Sequence, residues 1–180
     1  AIGRASREAI HLYSTMLSPP VLQLAERLIG LLPAPLAKAM FLSTGSEANE
    51  AALRMAKLAT GGFEVIGFDH SWHGLTAGSG ASTYSGGRRG YGPTVPGTLA
   101  LPTPNAYRCP IRHCRDACDC TCLEVGFEMV DRQSVGAPAA VIAEPILSSG
   151  GIIEPPPGYL RRLKGMCEER GLLLILDESQ

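Results

Sequence analysis

The sequence predicts an α/β fold, a mostly parallel sheet with helices on both faces, and three observations predict it. The strand-like runs FEVIGFD (63–69), AAVIAEPI (139–146) and GLLLILD (171–177) are largely apolar instead of alternating, as in strands covered on both sides. Between them lie stretches with apolar residues at helical spacing, bounded by Gly and Pro. Strand and helix alternate along the chain, which implies parallel neighbours joined by right-handed crossovers.

The elements follow in order. After Ser18, Pro19 and Pro20 suit a helix start, VLQLAERLIGLL carries the helical pattern, and Pro33 and Pro35 end it. AKAMFLS (37–43) reads as a short buried strand running into a turn at Thr44. Thr44 followed three residues later by Glu47 fits a capping box, so a helix starts at Gly45 and ends near Gly61 and Gly62. FEVIGFD is the next strand, and HSWHG (70–74) is the loop after it. Residues 78–97, rich in Gly, Ser and Pro, contain no regular element. A brief strand at 98–101, a cysteine-rich loop, a helix at 123–133 and the strand AAVIAEPI follow. The loop LSSGG then leads to PPPGYLRRLKGMCEERG, a Pro-started and Gly-terminated helix, and to a final apolar strand closed by Asp177. The domain reading is a segment 1–20 leading into a large domain at 21–180, with loops at 78–97 and 102–122.

Composition bounds the function. A chain of 180 residues, 45% hydrophobic and 18% charged, can bury one sizeable core. A net charge of −1 with scattered Lys and Arg gives no electrostatic support to nucleic-acid or anionic-membrane binding, so a small molecule is the expected partner. No apolar run reaches the ~18 residues that span a bilayer, and no basic-then-apolar leader opens the chain, which reads as soluble and cytoplasmic. The chain opens without Met, and its strongest strand is almost its last segment; both features are expected of an internal fragment.

Five of the six cysteines crowd between Cys109 and Cys122, with His113 among them. Zinc sites commonly take two separated pairs of ligands, and this run has no second half. A solvent-facing loop of reduced thiols and a metal- or partner-binding loop are the two readings.

Four segments fall at the predicted C-terminal strand ends, where ligands of such sheets gather: 43–46, 69–74, 144–151 and 177–180. The helix start at Thr44, Gly45 and Ser46 offers unpaired N–H groups and hydroxyls, which suits either a phosphate or simply a well-capped helix. Asp177 stands at the edge of a dry sheet and needs a partner, either a protonated heterocycle nitrogen or a structural ion pair. Glu144 ends AAVIA in the same kind of position. Trp72, the single tryptophan, either stacks on a flat ring or packs on the core; His73 is either an acid–base group or a hydrogen-bonded bystander. A phosphate cup, a stacking aromatic and a carboxylate for a ring nitrogen together describe a site for pyridoxal 5′-phosphate (PLP).

The motifs STGSEANEAALRMAK, SWHG, AEPILSSGGI and LLLILDE-x-Q resemble the class III, fold-type-I PLP-dependent aminotransferases, most closely their 2,2-dialkylglycine decarboxylase branch. The resemblance implies an incomplete large cofactor-binding domain. It matches Thr44, Gly45 and Ser46 to the phosphate turn, Asn49 to a cofactor-site asparagine, and Trp72 to the aromatic over the pyridine ring. It matches Asp177 to the aspartate on the ring nitrogen, Gln180 to a glutamine near the ring's phenolic oxygen, and Glu144 to a glutamate beneath the site. Trp72 and Asp177 would thus be the catalytic residues of this chain. Leu75 and Ser149 match substrate-lining positions, and Leu12 and Ser14 resemble ligands of an alkali-metal ion.

Such enzymes need a Schiff-base lysine, which the family carries beyond the DE-x-Q strand. Lys38, Lys57 and Lys164 are the only lysines of this chain, and none falls at a predicted C-terminal strand end. The implied activity of the whole protein is decarboxylation-dependent transamination of 2,2-dialkylglycines with a 2-oxo acid such as pyruvate, in a homodimer or homotetramer; this chain alone is expected to be inactive. An ordinary ω-aminotransferase is the alternative. From other classes stand a truncated non-catalytic protein using its cysteine loop, and a nucleotide-binding domain, which lacks both a dinucleotide glycine fingerprint and a P-loop.

Overall fold

The computed structural model describes residue 3 and residues 17–86, 90, 92–111 and 117–179. Leu12, Ser14, Gln180, His113 and Cys114 lie outside the described residues. The chain divides into two compact units, Ala1–Phe41 and Leu42–Gln180.

The first unit carries helix α1, Pro19–Ile29, which begins after Ser18 with prolines at its first positions, as the sequence suggests, and ends at Gly30. Residues 37–43 form no strand, contrary to the sequence reading of AKAMFLS, and Met40, Phe41 and Leu42 are exposed. A strand exists through its ladder, and among the described residues none pairs with this run.

The second unit begins with α2, Gly45–Thr60, capped by Thr44 and ended by Gly61, whose φ of 73° is the left-handed conformation that glycine adopts without strain. There follow β1 (Glu64–Phe68), the short helix α3 (Ala77–Ala81), β2 (Thr98–Leu101), α4 (Thr121–Gln133), β3 (Pro138–Ala143), α5 (Tyr159–Glu169) and β4 (Leu173–Leu176). The four strands are parallel in the order β2-β1-β3-β4. Three details differ from the sequence reading. Loop 78–97 contains most of α3, whose AGSGA sequence is too short and small to show a helical period. Loop 102–122 gives way to α4 at Thr121. Helix α5 starts at Tyr159, because Gly158 at φ 84° breaks the prolines from the helix.

Side chains alternate across the sheet and build two cores. Ile66, Phe68, Val141 and Ala143 join Leu123, Phe127 and Val130 of α4 and Tyr159, Leu163, Met166 and Cys167 of α5 in one buried cluster. Val65 and Ile142 point the other way and meet Leu53 of α2, with the half-buried Ile175 against them. Each buried Phe or Leu contributes about 1.5–3 kcal/mol, so the larger cluster carries most of the unit's apolar stabilisation. Strand β4 lies at the edge, which leaves Leu173 and Leu176 exposed although their sequence context is wholly apolar.

Chain connections leave β1 toward β2 on one side and return to β3 on the other, so β1 and β3 flank the topological switch point of the sheet. The loops after these two strands and after β4 open at the same end as the start of α2.

Candidate active site

A cavity of about 300 Å³ lies at that end, lined by Thr44, Gly45, Ser46, Asn49, Trp72, His73, Gly74, Glu144, Ile146, Asp177 and Ser179. Its first wall is the start of α2. Glu47 N–H donates to Thr44 Oγ1 at 3.2 Å, and Glu47 Oε2 accepts from the N–H groups of Ser43 and Thr44 at 3.1 Å each. This reciprocal cap leaves the N–H groups of Gly45 and Ser46, which precede any intrahelical acceptor, on the cavity wall. The positive end of the helix dipole adds to them, an arrangement that holds anions.

Asp177 lines the cavity beside this helix. Its N–H donates to Ala143 O at 2.9 Å, which extends the β3–β4 ladder and carries the carboxylate past the sheet's end. Oδ2 receives Asn49 Nδ2 at 2.8 Å and lies 2.9 Å from His73 Nδ1, while among the described residues Oδ1 accepts from Ser179 N–H alone, at 3.4 Å. Burial by itself raises the Asp177 carboxyl, but the bonds from His73, Asn49 and Ser179 outweigh it and hold the group below the ordinary aspartate value. An ionised carboxylate with one oxygen still open to the cavity can accept a bond from a cationic ring N–H.

The floor is the switch point. Trp72 N–H, in the loop after β1, donates to Glu144 Oε1, at the end of β3, at 2.8 Å. Burial pushes the Glu144 carboxyl above its ordinary value, and Asp177 adds to that; the Trp72 and Ser148 N–H groups and His73 only partly offset it. His73 is buried: its N–H donates to Thr83 Oγ1 at 2.8 Å, its carbonyl accepts from Asn49, and its Nε2 has no hydrogen-bond partner among the described residues. Gly74, at φ 130°, passes so close to α2 that a Cβ there would overlap Ser46 Oγ.

Thus Thr44, Gly45, Ser46, Asn49, Trp72, Glu144 and Asp177 come together from four separate segments. Leu75 is exposed and lines a neighbouring, more apolar cavity of about 330 Å³ that shares Trp72 and Gly74 with the first. Ser149 is exposed and lines neither cavity. Gln180, Leu12 and Ser14 lie outside the described residues. Gly74, Ile146 and Ser179 fall within the segments 69–74, 144–151 and 177–180 expected at the strand ends but carried no role of their own in the sequence, and His73 was left undecided. Asp69 turns away from the cavity and ties the end of β1 to β2 by accepting from Thr103 N–H at 2.9 Å. No lysine lines the cavity. Among the described residues no three His, Cys, Asp or Glu side chains gather in a metal-binding group, Cys120, Cys122 and Cys167 pack in the core, and no helix is long and apolar enough to cross a membrane.

Comparison with known proteins gives this geometry its family. Over 172 residues the chain is 54% identical to an uncharacterized aminotransferase of Schizosaccharomyces pombe, covering 95% of this chain and 38% of that protein. It is 36% identical over 141 residues to the diaminobutyrate–2-oxoglutarate aminotransferase of Haemophilus influenzae, covering 76% of this chain and 31% of the relative. Among solved structures, a PLP-bound amine transaminase from an uncultivated Pseudomonas species superposes with a TM-score of 0.85 at 31% identity, covering 98% of this chain and 42% of that one. An (S)-enantioselective ω-transaminase from Thermomicrobium roseum gives 0.82 at 29% identity, covering 97% and 41%. The chain therefore spans about two fifths of the length of these proteins or less. The family model for class-III aminotransferases matches residues 1–180, and the chain belongs to that family.

Proposed function

We propose that the protein of which this chain forms a part transfers an amino group from an amine or amino acid to a 2-oxo acid with PLP, and that the cavity described above holds the cofactor. The observation that carries this reading is a capped helix start and a carboxylate held below its ordinary value lining one cavity. The residues fit the group: Thr44, Gly45 and Ser46 would hold the phosphate, Trp72 would lie over the ring, and Asp177 would hold a proton on its nitrogen. Asn49 would orient Asp177, Glu144 would support Trp72 from beneath, and Gln180 would stand near the phenolic oxygen. His73, which also lines the cavity, would hold Asp177 in place through Nδ1.

Bound there, PLP supplies an electrophilic aldehyde and an electron-accepting ring. Asp177, kept anionic by its partners, would stabilise a protonated ring nitrogen and so make that ring a stronger electron acceptor. Leu75 and Ser149 are proposed to border the substrate, and Leu12 and Ser14 to contribute to an alkali-metal site. None of Lys38, Lys57 and Lys164 lines the cavity, and we propose that the lysine that would react with the cofactor is none of them and that this chain by itself turns over no substrate. The complete protein is proposed to work in the cytoplasm as a homodimer or homotetramer.

Two outcomes differ in which bond of the substrate breaks. Loss of the carboxylate from a 2,2-dialkylglycine is favoured by the motif resemblance. Loss of the α-proton, the ordinary ω-aminotransferase reaction, is favoured by the names of the similar enzymes. Full-length protein supplied with PLP and pyruvate separates them: carbon dioxide and a ketone from 2-aminoisobutyrate support the first, and alanine formed from a primary amine without carbon dioxide supports the second. Absence of both, together with no visible absorbance band from bound PLP, would refute the reading.

A further inference from the structure

Ser46, Asn49 and Glu50 lie three and four residues apart on α2 and therefore share one face of the helix. All three hold the same stretch of chain. Ser46 Oγ accepts from Leu75 N–H at 3.2 Å, and Asn49 Nδ2 donates to His73 O at 2.8 Å. Glu50 Oε1 accepts from Thr76 Oγ1 and Gly78 N–H at 2.6 Å each, and from Ser79 N–H at 3.0 Å. Gly78 and Ser79 are at the start of α3, whose own N-cap, Thr76, makes no side-chain capping bond. Glu50 thus supplies from another helix the acceptor that a local cap normally provides.

We propose that Glu50 is a positioning residue: by capping α3 from α2 it fixes the 73–79 segment and, through it, the places of Trp72 and His73 in the cavity. This rests on the PLP reading of that cavity. The geometry leaves little slack, since a Cβ at Gly78 would lie 2.6 Å from Glu50 Oε2. Burial raises the Glu50 carboxyl, but the bonds from Thr76, Ser79 and Gly78, with Lys57 nearby, hold it below its ordinary value, so it is an anion facing a helix start. Thr83 completes the frame from behind, accepting from His73 N–H, with its one hydroxyl proton placed between Ser79 O at 3.0 Å and Gly74 O at 3.2 Å. The segment that follows Trp72 is therefore gripped by both α2 and Thr83, and Glu50 provides three of the bonds from α2.

The test uses the full-length protein, with PLP itself as probe. Glu50→Ala is expected to weaken PLP binding on the order of tenfold or more, because small displacements of positioning groups are amplified at the cofactor. In the same variant, without PLP, amide exchange should speed up across 73–79 and stay unchanged in β1 and β3. Glu50→Gln, whose amide oxygen can accept the same bonds, should recover most of the affinity. PLP affinity in Glu50→Ala within about twofold of wild type would overturn the proposal. So would exchange that rises evenly over the whole domain, the mark of general destabilisation. A wild-type protein that binds no PLP fails at the cofactor reading; exchange then decides alone, and unchanged 73–79 amides in Glu50→Ala overturn the role of Glu50.

Discussion

Nδ1 of His73 lies 2.9 Å from Oδ2 of Asp177, and the two side chains are 0% and 9% exposed. Asn49 donates to the same oxygen, so two donors from two different segments converge on one half of the carboxylate. That convergence makes Asp177 an anion in a dry site, and the properties proposed for the cavity depend on it.

Asp177 should therefore stabilise the fold in a pH-dependent way. Its folded value is lowered, so the unfolded chain binds more protons in acid. The stabilisation is present above the unfolded value of about 3.9 and is lost as pH falls below it. Denaturant midpoints of wild type and Asp177→Asn, compared from about pH 6 down to about pH 3, should converge in acid. A gap that stays constant over that range would show that the carboxylate's charge contributes nothing.

Glu144 should act with the opposite sign. Its folded value is raised by burial, so the folded chain holds its proton longer. Stability then falls as pH rises through the unfolded value of about 4.3 toward the folded one. Glu144→Gln keeps an acceptor for Trp72 N–H and removes the charge. Its stability relative to wild type should improve as pH rises from about 4 to about 7. A constant difference would place the cost elsewhere.

Thr44→Ala removes the acceptor for Glu47 N–H while leaving the rest of α2 intact. A cost of about 1 kcal/mol is expected in chemical denaturation, with Thr44→Ser nearly neutral. In the full-length protein the same variant should also weaken PLP. Stability loss without any change in affinity would separate the cap from the proposed phosphate site.

Phe127→Ala tests the larger core. The ring is wholly buried between sheet and helices, and the Arg170 guanidinium lies 4.5 Å from its centroid. Truncation should cost about 3–5 kcal/mol, read as a lower denaturation midpoint, and should leave the cavity residues unaltered in any variant that still folds. A loss below about 1 kcal/mol would mean that α4 is not firmly docked.

Much of this was legible in the chain. The capping box at Thr44 and Glu47 announces itself by spacing and occurs as read, and the apolar runs at 63–69, 139–146 and 171–177 all contain strands. Where reading failed, the missing information was non-local. AKAMFLS has a strand's composition but finds no ladder among the described residues; AGSGA has no helical period, and the acceptor at the start of α3 comes from Glu50 on another helix. His73 was undecided because its partner Asp177 lies 104 residues further along.

By itself the sequence determined the parallel α/β plan, the order of its motifs and the family, since hydrophobic periodicity and capping are local properties that survive without a fold. Only the tertiary structure decided that Asp177 is paired with His73 and Asn49 and that the Trp72 N–H is tied to Glu144. Those facts depend on burial and on strand register at the switch point between β1 and β3, which bring distant carboxylates and donors within hydrogen-bond range and set the charge each one carries.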